Sequence, residues 1–144
     1  MGSKEVFSIR SYQSADLVSL VDLWYEAWHA ERPGSQHVYP IERWRELFSE
    51  KFVRGCTVWV ATYHDQPVGY VVLRLEGCHV DHLIVSANYQ RRGVGSLLID
   101  QCKRSCPNGL GVYVARNHEA ARAFCFTRRT VCWRLRPFTS GGRR

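Results

Sequence analysis

The sequence predicts an α+β domain with a mixed, partly parallel sheet flanked by helices, and three observations predict it. Strand patterns at Thr57–Tyr63, Val68–Leu75 and Cys78–Val85 follow one another across turns at His64-Asp65-Gln66-Pro67 and Glu76-Gly77, connections that suit antiparallel neighbours. One helical pattern, Val94–Arg104, separates the third strand from a further one at Leu110–Ala115, and a single crossover of this kind makes that strand parallel to a neighbour. The chain of 144 residues, 45% apolar and 23% charged, suits one domain that buries a core without staples.

The elements follow in order. Val6–Ser11 alternates apolar and polar residues and reads as a first strand, broken at Gln13–Ser14, where Ser14 is placed to cap a helix. Leu17, Leu20, Val21, Trp24 and Trp28 recur at helical spacing through Ala15–Glu31, until Arg32-Pro33-Gly34 ends the pattern. A second helix starts near Pro40, presents Ile41, Trp44, Leu47, Phe48 and Phe52, and ends at Gly55. The three strands come next, then a loop at Ser86–Arg92 and a helix expected to turn Leu97, Leu98 and Ile99 to the sheet. Pro107-Asn108-Gly109 closes that helix, and Asn117–Phe124 reads as the opening of a last one. Beyond it, one short strand around Val131–Leu135 is the most the pattern supports.

The formal charge is +7, which invites a polyanion partner, but its distribution argues otherwise. Residues 1–115 hold 12 Lys+Arg and 12 Asp+Glu, whereas residues 116–144 hold 8 Arg and one acid, Glu119. Six cysteines, Cys56, Cys78, Cys102, Cys106, Cys125 and Cys132, include no C-x-x-C pair, and no signal-like segment opens the chain. They are expected to be reduced thiols in a cytoplasmic protein. Cys102 and Cys106 are four apart on a helix, yet nothing nearby completes a metal site, so no metal is expected. No apolar run is long enough to span a bilayer, so no membrane partner is expected.

Chemistry concentrates where the strand ending Leu83-Ile84-Val85 runs through Gln90-Arg91-Arg92-Gly93-Val94-Gly95-Ser96 into a helix. Gly93 and Gly95 permit backbone conformations and approaches that a Cβ blocks, and a helix start offers unpaired N–H groups at the positive end of its dipole. A diphosphate fits such a cradle, with Arg91 or Arg92 adding charge from the rim. The three-glycine dinucleotide fingerprint fails at Leu98, and there is no G-K-[ST] phosphate loop. Ordinary turn use of the two glycines remains the alternative.

Q-x-x-G-x-G after such a strand resembles the acetyl-CoA-binding element of the GNAT superfamily of N-acetyltransferases. A second element, Asn117-His118-Glu119-Ala120-Ala121-Arg122-Ala123-Phe124, is similar to that family's N-x-x-A-x-x-F-Y segment, though Asn117 also suits a helix cap. The resemblance implies a small GNAT-like domain over residues 1–124 and an atypical Arg-rich tail over 125–144. It further implies that Gln90, Arg91, Arg92, Gly93, Val94, Gly95 and Ser96 bind the coenzyme A pyrophosphate. Leu83, Ile84 and Val85 would line the pantetheine arm, with Asn117 and Phe124 at its far end.

The implied reaction is acetyl transfer from acetyl-CoA to a primary amine, on a small molecule or a protein, by direct attack in a ternary complex. Such an amine arrives protonated, so a base is needed. Strict alternation sets His79 and Asp81 on the same side as Leu83 and Val85, which makes them the candidate acid–base pair; a purely structural hydrogen-bonded pair is the alternative. His82, on the opposite side, is expected to pack. The family's usual Tyr, which protonates the leaving thiolate, is replaced by Cys125, either a substitute acid or a small buried hydrophobe. Glu26, Glu31 and the loop Arg32–Tyr39 belong to the segment that walls the acceptor site in this family, although solvated helix charges explain the glutamates as well.

From Cys125 onward both the family's residues and the strand alternation fade, which fits either a disrupted C-terminus or a basic arm, the former favoured. A catalytically weak acyl-CoA-binding regulator is the alternative function, and a basic nucleic-acid-binding module the remote one. A homodimer is compatible with all of these readings.

Overall fold

Hydrophobic alternation and tight turns produce the central hairpins of the computed structural model, which describes residues 6–31, 34, 39–113 and 131–133. The strands are β1 (Ser8–Ser11), β2 (Thr57–Tyr63), β3 (Gln66–Arg74), β4 (His79–Val85), β5 (Gly111–Tyr113) and β6 (Val131–Trp133). The helices are α1 (Leu17–Glu31), α2 (Ile41–Phe48) and α3 (Val94–Ser105), with one π-helical turn, Ser49–Val53, extending α2. One sheet holds all six strands in the order β1-β2-β3-β4-β5-β6; β1 to β4 are antiparallel, and β4–β5 and β5–β6 are parallel. The expected mixed, partly parallel sheet is therefore present, and the short strand expected near Val131 is β6. Residues 114–130, which hold the expected fourth helix, lie outside the described residues.

Between β2 and β3, Tyr63 pairs with Gln66 around His64 and Asp65, both at positive φ. Two left-handed residues make the two-residue turn whose twist matches a hairpin. The sheet then carries a core on each face. On one face α3 buries Val94, Leu98, Ile99 and Cys102 against Ala61, Val71, Leu73 and Val80. On the other, α1 and α2 bury Leu20, Val21, Trp24, Trp44, Phe48 and Phe52 against Val58, Val60, Tyr70 and Val72. Leu97 is exposed, contrary to expectation. The helical step of about 100° carries Val94, Leu98 and Cys102 onto the sheet-facing stripe and leaves Leu97 beside it.

The entry to α1 also differs from expectation. Ser14 lies inside a short 3-10 turn, Ser14–Asp16, and the capping oxygen comes from Asp16, whose Oδ2 accepts from the Gln13 N–H at 2.8 Å. Arg10 on β1 grips the same carboxylate with Nη1 at 2.7 Å and Nη2 at 2.8 Å, tying the sheet edge to the helix start. The Arg10 hydrogen bond lowers the pKa of the buried Asp16 carboxyl against the opposing effect of desolvation. A depressed folded-state pKa stabilises above the unfolded value of 3.8, and that contribution is lost as pH falls through the lower folded value. Asp16→Asn should therefore lose about 1–3 kcal/mol in urea unfolding at neutral pH, the scale of hydrogen bonds to a charged group. The gap to the parent should close as pH drops below 3.8.

Cys78 and Cys106 form a disulfide, which corrects the expectation that all six cysteines are reduced. The pair is separated by 28 residues, so no local spacing announces it. The fold brings the β3–β4 turn to the C-terminal end of α3, where the Gly111 N–H also donates to the Cys78 carbonyl at 2.9 Å. Cys56 and Cys102 are free thiols. Closing a loop of this size restricts the unfolded chain by about 3–4 kcal/mol. Reduction, or Cys78→Ser, is expected to lower the melting temperature by on the order of 10 °C, read by calorimetry with and without dithiothreitol.

Candidate active site

Three local features build the site: a kink in β4, the parting of β4 from β5, and the turn that leads into α3. β4 pairs with β3 from Gly69↔Val85 to Val72↔His82, and then from Leu73↔Val80 to Arg74↔His79. Asp81 is thus an extra residue without a partner in β3, a β-bulge. The bulge breaks the alternation on which the sequence reading relied. Leu83 and Val85 pack with Val80 on the α3 face. His79 and Asp81 instead lie on the α1/α2 face with His82 and Ile84, because Asp81 reaches Arg74 and Cys56 there. The expectation that they share a side with Leu83 and Val85 is corrected; the extra residue reverses the phase of the strand.

Asp81 is the centre of a small polar cluster. Arg74 donates to its Oδ2 from Nη2 at 2.7 Å and from Nε at 3.1 Å. His79 Nε2 lies 2.9 Å from Oδ1, and the Cys56 thiol lies 3.8 Å from Oδ2. Burial, the largest influence, pushes the Cys56 thiol pKa up, so it stays protonated at neutral pH. The sequence reading missed Arg74 and Cys56. Counting across the turn at Leu75–Cys78 sets Arg74 opposite His79, a signal available in the sequence; the approach of Cys56, just before β2, had none.

His82 takes the packing role expected of it. Its ring centroid lies 4.6 Å from Phe52 and 5.3 Å from Trp24, and Tyr70 Oη is 3.4 Å from its Nδ1. These surroundings desolvate the imidazole and bring its pKa down to about 4, so His82 is neutral at physiological pH and is no shuttle.

Among the described residues, pairing between β4 and β5 covers His79↔Gly111 and Val80↔Val112. From Asp81 to Val85 the edge of β4 away from β3 has no strand partner among the described residues. That edge runs by way of a 3-10 turn, Ala87–Tyr89, into the expected cradle. Gln90 Nε2 donates to the Val85 carbonyl at 3.2 Å, holding the loop against the end of the strand. Arg91 has φ 61° and Gly93 has φ 90°, one on each side of Arg92. Left-handed residues alternating in this way turn successive N–H groups toward one concavity, an anion nest.

A Cβ added to Gly93 would meet nothing within 4 Å, so the space on the side-chain side of Gly93 is open. The Arg92 guanidinium lies 5.4 Å from the centroid of the Tyr89 ring, at the rim. Val94 is 1% exposed, so only its backbone can serve a ligand, while Gly95 and Ser96 continue the first turn of α3. Gly69 keeps α3 close: a Cβ there would lie 2.9 Å from the Ile84 carbonyl oxygen and 3.3 Å from Val94 Cγ1. The residues present fit a diphosphate at the nest and an extended arm along β4. Asn117, Phe124 and Cys125 lie outside the described residues, as do residues 32, 33 and 35–38 of the loop expected to wall the acceptor site. Glu26 is exposed on α1. Among the described residues there is no metal-binding group of three or more side chains, and no helix is long and apolar enough to cross a membrane.

The acetyltransferase (GNAT) domain family matches residues 23–125, and the chain belongs to it. Among curated relatives, the uncharacterized N-acetyltransferase YafP of Escherichia coli K12 is 36% identical over 97 residues, covering 63% of this chain and 61% of YafP. This chain thus matches about three fifths of YafP's length. Among solved structures, apo YjaB from Escherichia coli has TM-score 0.65 and 28% identity, covering 83% of this chain and 78% of YjaB. A possible acetyltransferase from Clostridium difficile 630 has TM-score 0.71 at 16% identity, covering 97% of this chain and all of the other, a likeness of fold.

Proposed function

We propose that this chain transfers acetyl from acetyl-CoA to a primary amine, by direct attack in a ternary complex. The observation that carries the reading is the edge of β4 at Asp81–Val85, which has no strand partner among the described residues and leads into the anion nest at Arg91–Gly93. Backbone amides of Gln90–Ser96 would take the pyrophosphate, with Arg91 and Arg92 at the rim, and the edge at Leu83–Val85 would pair with the pantetheine arm. When bound, acetyl-CoA supplies a thioester carbonyl open to attack.

The acceptor approaches from the α1/α2 face, where His79 and Asp81 lie. His79 donates Nε2–H to Asp81, which makes Nδ1 the basic atom of the ring. That atom takes the proton from the amine, directly or through water, while Asp81 orients the ring and stabilises its charged form. A backbone N–H near Leu83 meets the developing oxyanion, and as it collapses the C–S bond breaks and the extra proton still on the attacking nitrogen passes, directly or through water, to the departing thiolate.

Cys125, at the position of the family's usual Tyr, favours a second reading, a weak or inactive acyl-CoA-binding regulator. Calorimetry with acetyl-CoA, followed by thiol release across a panel of primary amines and amine-bearing peptides, separates the two. Binding with amine-dependent release supports the transferase. Binding without it leaves the regulator, and absence of binding overturns both. If Cys125 is the defect, Cys125→Tyr should raise turnover; no gain with any acceptor would acquit it.

A further inference from the structure

Resting on that reading, we propose that Arg74 is the positioning residue of the proton-accepting pair, fixing the Asp81 carboxylate so that one oxygen is reserved for His79. Arg74 and His79 are the last cross-strand pair of β3 and β4, and the bulge at Asp81 brings its carboxylate to the same face. Two guanidinium N–H groups, Nε at 3.1 Å and Nη2 at 2.7 Å, converge on Oδ2 alone. The Cys56 thiol approaches that same oxygen at 3.8 Å, and Oδ1 is left to His79 Nε2 at 2.9 Å.

A carboxylate gripped at one oxygen cannot rotate without breaking two charge-assisted hydrogen bonds. The imidazole is therefore oriented through Asp81 by a residue that does not itself handle the proton. Arg74 also offsets the Asp81 charge that His79 meets, and its own pKa is raised by the same hydrogen bonds. Asp81 accordingly serves as an orienting group, and the acceptor's proton goes to His79. Among the described residues, Cys56 just before β2 interacts with Arg74 and Asp81, Glu76 in the β3–β4 turn interacts with Arg74, and His82 feels the charges of Asp81 and of Lys51 in the π-helical turn.

The test compares the full-length parent with Arg74→Gln and Arg74→Lys by three readouts: acetyl-CoA affinity, the pH profile of kcat/KM, and the NMR titration of the His79 ring. Removing the guanidinium leaves the carboxylate charge of the His79–Asp81 pair uncompensated in Arg74→Gln, so the acidic limb of the profile should move to higher pH. At mildly acidic pH kcat/KM should fall about tenfold, while acetyl-CoA affinity stays at the parent value. Arg74→Lys keeps the charge without the two-nitrogen grip; its His79 titration should return toward the parent while kcat stays reduced.

A His79 titration in Arg74→Gln identical to the parent overturns the proposal. So does a kcat in Arg74→Lys equal to the parent, the comparison that remains if Arg74→Gln fails to fold. A parent that releases no thiol with any amine instead defeats the transferase reading, and the ring titration still decides whether Arg74 acts on His79.

Discussion

His79→Gln should reduce amine-dependent turnover by about 10²–10⁴-fold, the range that a positioned general base contributes. Glutamine can still donate a hydrogen bond to Asp81 Oδ1, which His79 Nε2 now meets at 2.9 Å, so the cluster around Arg74 stays paired. What disappears is a group that can accept a proton near neutrality. Acetyl-CoA affinity should hold, because the nest proposed for the pyrophosphate, Arg91–Gly93, lies beyond the other end of β4. The deficit should also shrink as pH rises toward the acceptor's own pKa, about 10.4 for an alkyl amine, where a neutral nucleophile is supplied by the solvent. A pH–rate profile of variant and parent checks both statements. Equal rates at neutral pH would remove His79 from the reaction and leave the His79–Asp81 contact as a structural pair.

Gly93→Val should weaken acetyl-CoA binding by about 10–100-fold, equivalent to roughly 1.4–2.8 kcal/mol. The sequence alone suggests a steric reason, a branched side chain blocking the approach of the diphosphate. The structure adds a conformational one: Gly93 has φ 90°, and a Cβ there meets no protein atom within 4 Å. The substitution therefore strains the backbone rather than the packing. A valine relieves that strain by leaving the left-handed region, which turns the loop's N–H groups out of the nest shared with Arg91. Gly93→Asn tolerates positive φ better and should retain more affinity than Gly93→Val. Calorimetric titration of the three proteins gives the ranking, and parent-like affinity in Gly93→Val would show that the diphosphate does not use this loop.

Local signals made much of the fold legible. The tight turns at His64-Asp65 and Glu76-Gly77, with apolar alternation between them, define the antiparallel hairpins, and the helix after Gly93 supplies the crossover to β5. The loop of the candidate site was legible for the same reason, since glycine spacing and a helix start are local. The face of β4 was not. One extra residue at Asp81 reverses every inference drawn from period-two alternation across it, and nothing in His79-Val80-Asp81-His82 marks the bulge. The packing role of His82 survived that reversal, because the residues after the bulge keep their own alternation. Long-range partners were equally hidden: Cys78 finds Cys106 only once α3 has packed on the sheet, and Cys56 reaches Asp81 from the bend that leads into β2, a strand two places away. Leu97 shows the limit of counting apolar residues without resolving the helical stripe.

The disulfide also changes what the cysteines say about environment. Their scattered spacing argued for reduced thiols, and that argument does not extend to Cys78 and Cys106. The bridge ties the turn before β4 to the end of α3, and His79, the first residue of β4, follows Cys78 directly. Any comparison of variants in this region therefore needs a fixed redox state.

The most direct test of the account is an acetyl-CoA titration of isotopically labelled chain, followed through backbone amide shifts. Diphosphate capture by the nest and pairing of an extended arm with β4 require the largest changes at Gln90–Ser96 and along Asp81–Val85. The exposed face of α2 around Glu42 and Glu46 should stay still. Saturable shifts in those two segments are the expected result. Shifts confined to other parts of the molecule, or none at saturating acetyl-CoA, would contradict it.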